Sequence, residues 1–108
     1  MTVKALAEFE VFDFVSLPEP EREIEGVYIG DLLSWVMGRA NASDAWITIM
    51  SNVNILAVAS LADTACIILA EGVTLDDETI ATAEQKGINI ISTEMNMYDT
   101  AVFLSQIL

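Results

Sequence analysis

The sequence predicts a three-layer α/β domain, a mainly parallel sheet with helices on both faces. Three observations carry this reading. The second half of the chain alternates short apolar runs with helix-length segments. Those runs are apolar throughout rather than every second residue, as in strands buried on both faces. The length, 108 residues, accommodates a single domain spanning residues 1–108.

The elements follow in order. Thr2 to Phe9 reads as a short helix begun by Thr2, and Val11 to Leu17 as a strand. Pro18-Glu19-Pro20-Glu21-Arg22-Glu23 is a turn with a solvated acidic face. Gly26 to Ile29 is a short strand, and Asp31 to Met37 a helical or irregular segment ending at Gly38. Trp46 to Met50 is rich in β-formers. A helix follows from Val53 to Ala62, then a buried strand, Cys66 to Leu69. Thr74 and Asp77 have the spacing of a capping box before an amphipathic helix, Asp77 to Lys86, which Gly87 stops. Ile88 to Ile91 is the last strand, and a helix from Asn96 or Met97 reaches Leu108.

Composition narrows the partners. Seventeen acidic residues against four basic ones give a net charge of −13. Nucleic acid and anionic membranes need clustered Lys and Arg, whereas Lys4, Arg22, Arg39 and Lys86 are scattered. Neither is an expected partner. There is no histidine, the commonest general base. A single cysteine, Cys66, cannot form an internal disulfide, which fits a reducing, cytoplasmic setting. Cys66 itself reads as a buried structural thiol. Ala45 to Ala62 carries no charge, but Ser51, Asn52 and Asn54 interrupt it and no basic residue flanks it. Strand, turn and helix explain that stretch better than a membrane span.

Ligands of parallel sheets bind at the carboxyl ends of strands. Candidate binding residues are therefore Asp31, Ser51, Asn52, Asn54, Glu71 and Gly72. Ser51 to Asn54 offers a hydroxyl, two amides and the start of a helix. Helix capping is the competing reading for Ser51, Asn52 and Asp31. Met95, Met97 and Tyr98 either line an adaptable pocket or pack ordinarily. No Gly-rich phosphate loop occurs, and neither a cofactor nor a metal site is implied.

From Gly26 to Leu108 the chain resembles the DRTGG domain family. The resemblance rests on Gly-Val-Tyr-Ile-Gly-Asp-Leu-Leu-Ser-Trp-Val-Met-Gly from Gly26 and Asp-Ala-Trp-Ile-Thr-Ile from Asp44. Asn54-Ile55, Ile68-Leu69-Ala70-Glu71-Gly72, Lys86-Gly87-Ile88 and Ser92-Thr93 complete it. It implies a fold similar to the N-terminal domains of HPr kinase/phosphorylase and of the muramyl ligases. It also implies a non-catalytic regulatory or docking module, one that senses a small, nucleotide-like ligand. Ser51-Asn52 stands where the family has Asp-Arg, and Ala70-Glu71-Gly72 where it has Thr-Gly-Gly, so only Gly72 is kept. Two other readings remain open from the sequence. One is a metal-assisted hydrolase using Asp31 and Glu71; the other is a purely structural subunit of an enzyme complex.

Self-association is expected. In Val53 to Ala62, the face Val53, Leu56, Ala57 and Leu61 packs on the sheet, leaving Ile55, Val58, Ala59 and Ala62 facing elsewhere without a charge. A domain this small cannot bury both sides of such a helix alone. The expected state is a homodimer or higher homo-oligomer, with a partner enzyme as a further candidate.

Overall fold

Four parallel strands lie side by side in chain order in the computed structural model, which describes residues 1–108. They are β2 (Gly26–Ile29), β3 (Asp44–Thr48), β4 (Cys66–Leu69) and β5 (Ile90–Ser92). A fifth, β1 (Asp13–Ser16), runs antiparallel beside β5, giving the order β1-β5-β4-β3-β2. The connections are α2 (Leu33–Arg39), α3 (Asn54–Ala62) and α4 (Asp77–Lys86), with α1 (Val3–Ala7) and α5 (Met97–Ile107) at the ends.

The layers follow from the pleat. On one face Trp46, Ile67, Leu69 and Ile90 meet Val36 of α2, Ile55, Leu56, Val58 and Ala59 of α3, and Ala83 of α4. On the other, Ala45, Ile47, Cys66, Ile68 and Ile91 meet Val3 and Leu6 of α1 and Leu104 of α5. β3 and β4 are buried at every residue. Phe103 of α5 joins that layer to the N-terminal segment by edge-on contacts with Phe9 at 5.3 Å and Phe12 at 5.7 Å. The α/β architecture and the helices on both faces are as the sequence predicts.

The helix ends show which side chains cap. Thr2, Asp76 and Asn96 each accept the N–H three residues on, from Ala5, Thr79 and Asp99. The cap of α4 is thus Asp76, not Thr74 of the expected capping box. Hydrogen bonding from the Thr79 side chain, and then from its backbone N–H, holds the Asp76 carboxyl below its ordinary pKa. Gly87 ends α4 at φ +74°, as expected.

Several boundaries and one helix face differ from the sequence reading: α1 is confined to Val3–Ala7, and α2 starts at Leu33 and runs through Gly38 to Arg39 instead of ending at Gly38. β3 begins at Asp44, two residues early, because the Asp44 carboxylate is buried accepting the Asn41 N–H at 2.8 Å. A Cβ at Gly26 would come 2.5 Å from that carboxylate, so the neighbouring strand needs glycine there. β5 begins at Ile90 rather than Ile88, and β1 spans only Asp13–Ser16. In α3 the buried stripe is Ile55, Leu56, Val58 and Ala59, while Val53, Ala57 and Leu61 face solvent. The expected packing face was therefore rotated, with Leu56 alone kept from it.

Asn89 is the main polar node of the core. Its side chain accepts from the Glu19 N–H (2.9 Å) and donates to the Glu19 carbonyl (2.7 Å) and the Ala65 carbonyl (3.1 Å). It pairs with the Pro-rich turn as a strand backbone would. Beside it the Ser16 hydroxyl donates to the Ile88 carbonyl at 2.9 Å. Truncation at Asn89 strands buried backbone groups, each costing about 1–3 kcal/mol. Asn89→Ala is expected to lower the free energy of unfolding by about 2–3 kcal/mol in urea titration.

Burial raises the Cys66 thiol from its ordinary 9.0 to about 12, opposed by the positive charge of Arg22. The unfolded chain releases this proton above pH 9, while the native chain holds it until about pH 12. Between those values stability falls as pH rises, by at most about 1.4 kcal/mol per pH unit. Chemical unfolding at pH 8 and pH 10.5 should show a loss that Cys66→Ala lacks, and the native thiol should resist disulfide reagents.

Candidate functional site

Parallel strands bring the carboxyl ends of β2, β3, β4 and β5 to one edge of the sheet, with four loops above them. All six residues expected from the sequence lie in these loops or at their ends. Their geometry shows what each is free to do.

Asp31 does not cap α2; the cap position is Leu32, with no side-chain bond. Instead its Oδ1 accepts from the Thr48 hydroxyl at 2.8 Å and the Ile49 N–H at 3.0 Å. It clamps the end of β2 to the end of β3, beside a second tie from the Trp46 indole N–H to the Gly30 carbonyl at 2.9 Å. Ser51, Asn52 and Asn54 are exposed at the start of α3. Asn52 Oδ1 accepts the Asn54 N–H at 2.9 Å, and the N-cap position is Val53.

Glu71 and Gly72 take successive left-handed conformations, φ +62° and +69°. That turn aims both N–H groups at the next loop, Glu71 to the Met95 carbonyl (2.8 Å) and Gly72 to the Thr93 carbonyl (2.9 Å). These donors are committed within the protein and do not form a free anion nest. Glu71 carries the conformation against its Cβ, and the two hydrogen bonds fix the β4–α4 loop to the β5–α5 loop. The Glu94 carboxylate lies over Gly72, where a Cβ would meet it at 2.5 Å.

Asp31 and Glu71 are not brought together. They follow β2 and β4, which β3 separates, so their backbones stand roughly 10 Å apart across the sheet. Met95 and Met97 pack on the core layer under α5, whereas Tyr98 is exposed.

A recess beside these loops did not come from the sequence. It is about 260 Å³ and opens where β4 and β5 end under α4. Leu69, Val73, Leu75, Ile80, Val15 and Phe14 make its apolar wall, and Thr74 and Ser92 its polar atoms. Three separated stretches of the chain contribute, Phe14-Val15, Leu69 to Ile80 and Ser92, so no single motif announces it. The apolar Val73 and Leu75 within an otherwise polar loop are its only local trace.

The charges around the two ends of the sheet differ. The strand-end segments contain Asp31, Glu71 and Glu94 and no Lys or Arg. At the opposite end, Arg22 and Lys86 line a polar cleft where α3 and α4 terminate. Arg22 there pairs with the Asp63 carboxylate at 3.0 Å and donates to its carbonyl at 2.7 Å. These cations offset the negative ends of the two helices. A polyanion reaching the strand ends therefore meets acidic side chains and no basic one.

No helix is long and apolar enough to cross a membrane. Among solved structures, the chain is similar to the CBS and DRTGG domains of the regulatory region of Clostridium perfringens pyrophosphatase, in complex with the activator diadenosine tetraphosphate. The TM-score is 0.69 at 17% identity, over 88% of this chain and 42% of that one. At that identity the likeness shows the fold. None of the curated proteins compared matches the chain. The model of the DRTGG domain matches residues 19–107, nearly the whole length, and the chain belongs to the DRTGG domain family.

Proposed function

We propose that this chain is a non-catalytic regulatory or docking module, a homodimer that senses a small ligand at the strand ends and acts on a partner enzyme. The observation that carries the reading is the apolar recess under α4. It lies at the sheet edge where parallel α/β folds take ligands, and the loop that walls it is held in a strained, pre-set turn. The family and the regulatory origin of the similar structure support the same role.

The recess sets the ligand chemistry. At about 260 Å³ it falls below the roughly 300–1,000 Å³ of drug-sized sites. It fits a flat heterocycle rather than a whole dinucleotide. The acidic strand ends disfavour phosphates, so a nucleotide-like ligand would enter by its base, with a neutral or cationic remainder.

Adenosine and ATP, titrated separately without divalent metal, test this. Adenosine should shift the amide resonances of Val73, Leu75 and Ile80, with ATP weaker by roughly tenfold or more at low salt. Ile80→Trp, which fills the recess, should abolish the shifts while the fold persists. ATP binding more tightly than adenosine, or shifts confined to Ser51–Asn54, would refute the reading.

The Asp31 clamp gives a contrasting prediction. Asp31→Ala should cost about 1–3 kcal/mol of stability by freeing Thr48 and the Ile49 N–H. Adenosine affinity should remain within about twofold, because the clamp lies two strands away from the recess.

A further inference from the structure

The sheet has two edges, and only one is protected. β1 carries an irregular register between Phe14 and Ser16, exposes Asp13, and leads into Pro18 and Pro20. These devices keep an edge from pairing with another strand. β2 has none: Gly-Val-Tyr-Ile contains no charge and no proline, and pairs in continuous register with β3.

Backbone direction alternates along a strand. The Gly30 N–H points at the Ile47 carbonyl of β3, so Tyr28 points the same way. The N–H and C=O groups of Val27 and Ile29 then face outward. Their side chains lie on the α5 face of the sheet and are 39% and 45% exposed. On the other face α2 and its cap position present Trp35, Met37 and Leu32, with Leu32 and Trp35 more than half exposed. Apolar surface thus flanks an open edge on both sides.

Charge says what can cover it. Residues 26–62 carry two acidic groups and one basic group, Asp31, Asp44 and Arg39, in a chain of net charge −13. Asp44 is buried, and Arg39 stacks 4.0 Å over the Trp35 ring. The remaining segments hold nearly all the negative charge, so two copies meet with least repulsion across the surface that this segment exposes.

We propose that the β2 edge and the outer side of α2 form a two-fold interface with a second copy of this chain, which specifies the surface of the homodimer proposed above and rests on that reading. The two β2 strands pair antiparallel about Tyr28, each Val27 opposite the other copy's Ile29. The outward N–H and C=O groups satisfy one another and the sheets join into one. Trp35 and Leu32 of α2 supply the apolar anchor beside the seam. A stable interface needs roughly 600 Å² from each partner, so the exposed side chains beside the edge must contribute along with the strand itself. In this register Glu25 faces the other copy's Asp31. The Asp31 carboxylate is turned inward onto Thr48 and Ile49, and Glu25 remains at the rim. Salt therefore strengthens the association by screening like charges.

Sedimentation velocity from about 1 to 100 µM tests the interface. The intact chain should be a dimer within that range, and tighter in ~0.5 M salt than at low ionic strength. Ile29→Lys and Trp35→Glu should each weaken dimerisation by roughly 100-fold. Both positions are exposed, and circular dichroism with retained amide shifts on adenosine titration confirms the folded monomer. Loss of the adenosine response with an intact dimer would strike the ligand reading instead. In hydrogen exchange, the Val27 and Ile29 amides should be protected only in the dimer. A monomer at ~100 µM, a dimer that survives both substitutions, or one dissociated by Leu61→Glu on α3 alone overturns the proposal.

Discussion

The handedness of the parallel crossover governs this molecule. β2, β3, β4 and β5 follow one another across the sheet in a single direction. Each right-handed connection must then lay its helix on the same face. α2, α3 and α4 obey, and together with the sheet they bury the cluster around Trp46 and Ile67. No connection is left for the opposite face, although β3 and β4 are apolar on that side too. The chain ends complete it, α1 and α5 closing over Ile47 and Ile68. Their cover stops short of the sheet margin, which is why Val27 and Ile29 remain open.

Polar residues then determine how the loops attach to this frame. Asn89 holds the Pro-rich turn, Asp44 the start of β3, and Asp31 the junction of β2 and β3. Each accepts or donates to otherwise unpaired backbone, the condition on which a buried polar group is tolerated. Glu71 and Gly72 do the same for the two loops above β4 and β5 at the cost of left-handed backbone. The outcome is a cross-tied rim: of the residues chosen from the sequence as ligand contacts, Asp31 by its carboxylate and Glu71 and Gly72 by their backbone N–H groups are occupied in holding it together.

Legibility in the sequence followed the strength of the local signal. β2, β4 and α4 were readable to the residue because turn residues and caps bound them, as Gly87 does. Asn96 marked the start of α5 for the same reason. β3 and β5 were misplaced by two residues because each abuts a buried polar side chain, Asp44 or Asn89, that composition assigns to loops. The orientation of α3 was illegible because a helix apolar all round has no polar stripe to fix it. Asn54 and Ser60, both exposed, were the available clue. Asp31 was legible, but its partner Thr48 lies on a neighbouring strand, and the recess under α4 is built from three separated stretches of chain. Such features exist only once the sheet has formed.

The polar ties of the N-terminal segment reach far along the chain. Ser16 bonds Ile88, Glu19 bonds Asn89, and β1 pairs with β5. Residues 1–25 leave the ribosome well before their partners in the sheet, which emerge only after residue 88. During synthesis the opening quarter of the chain, with Phe9, Phe12 and Phe14 among its residues, must wait without its docking surface. Contacts of such sequence separation are slow to close, and exposed apolar segments that await them are prone to aggregate. Its seven acidic residues interrupt that waiting apolar segment with charge, which opposes its aggregation.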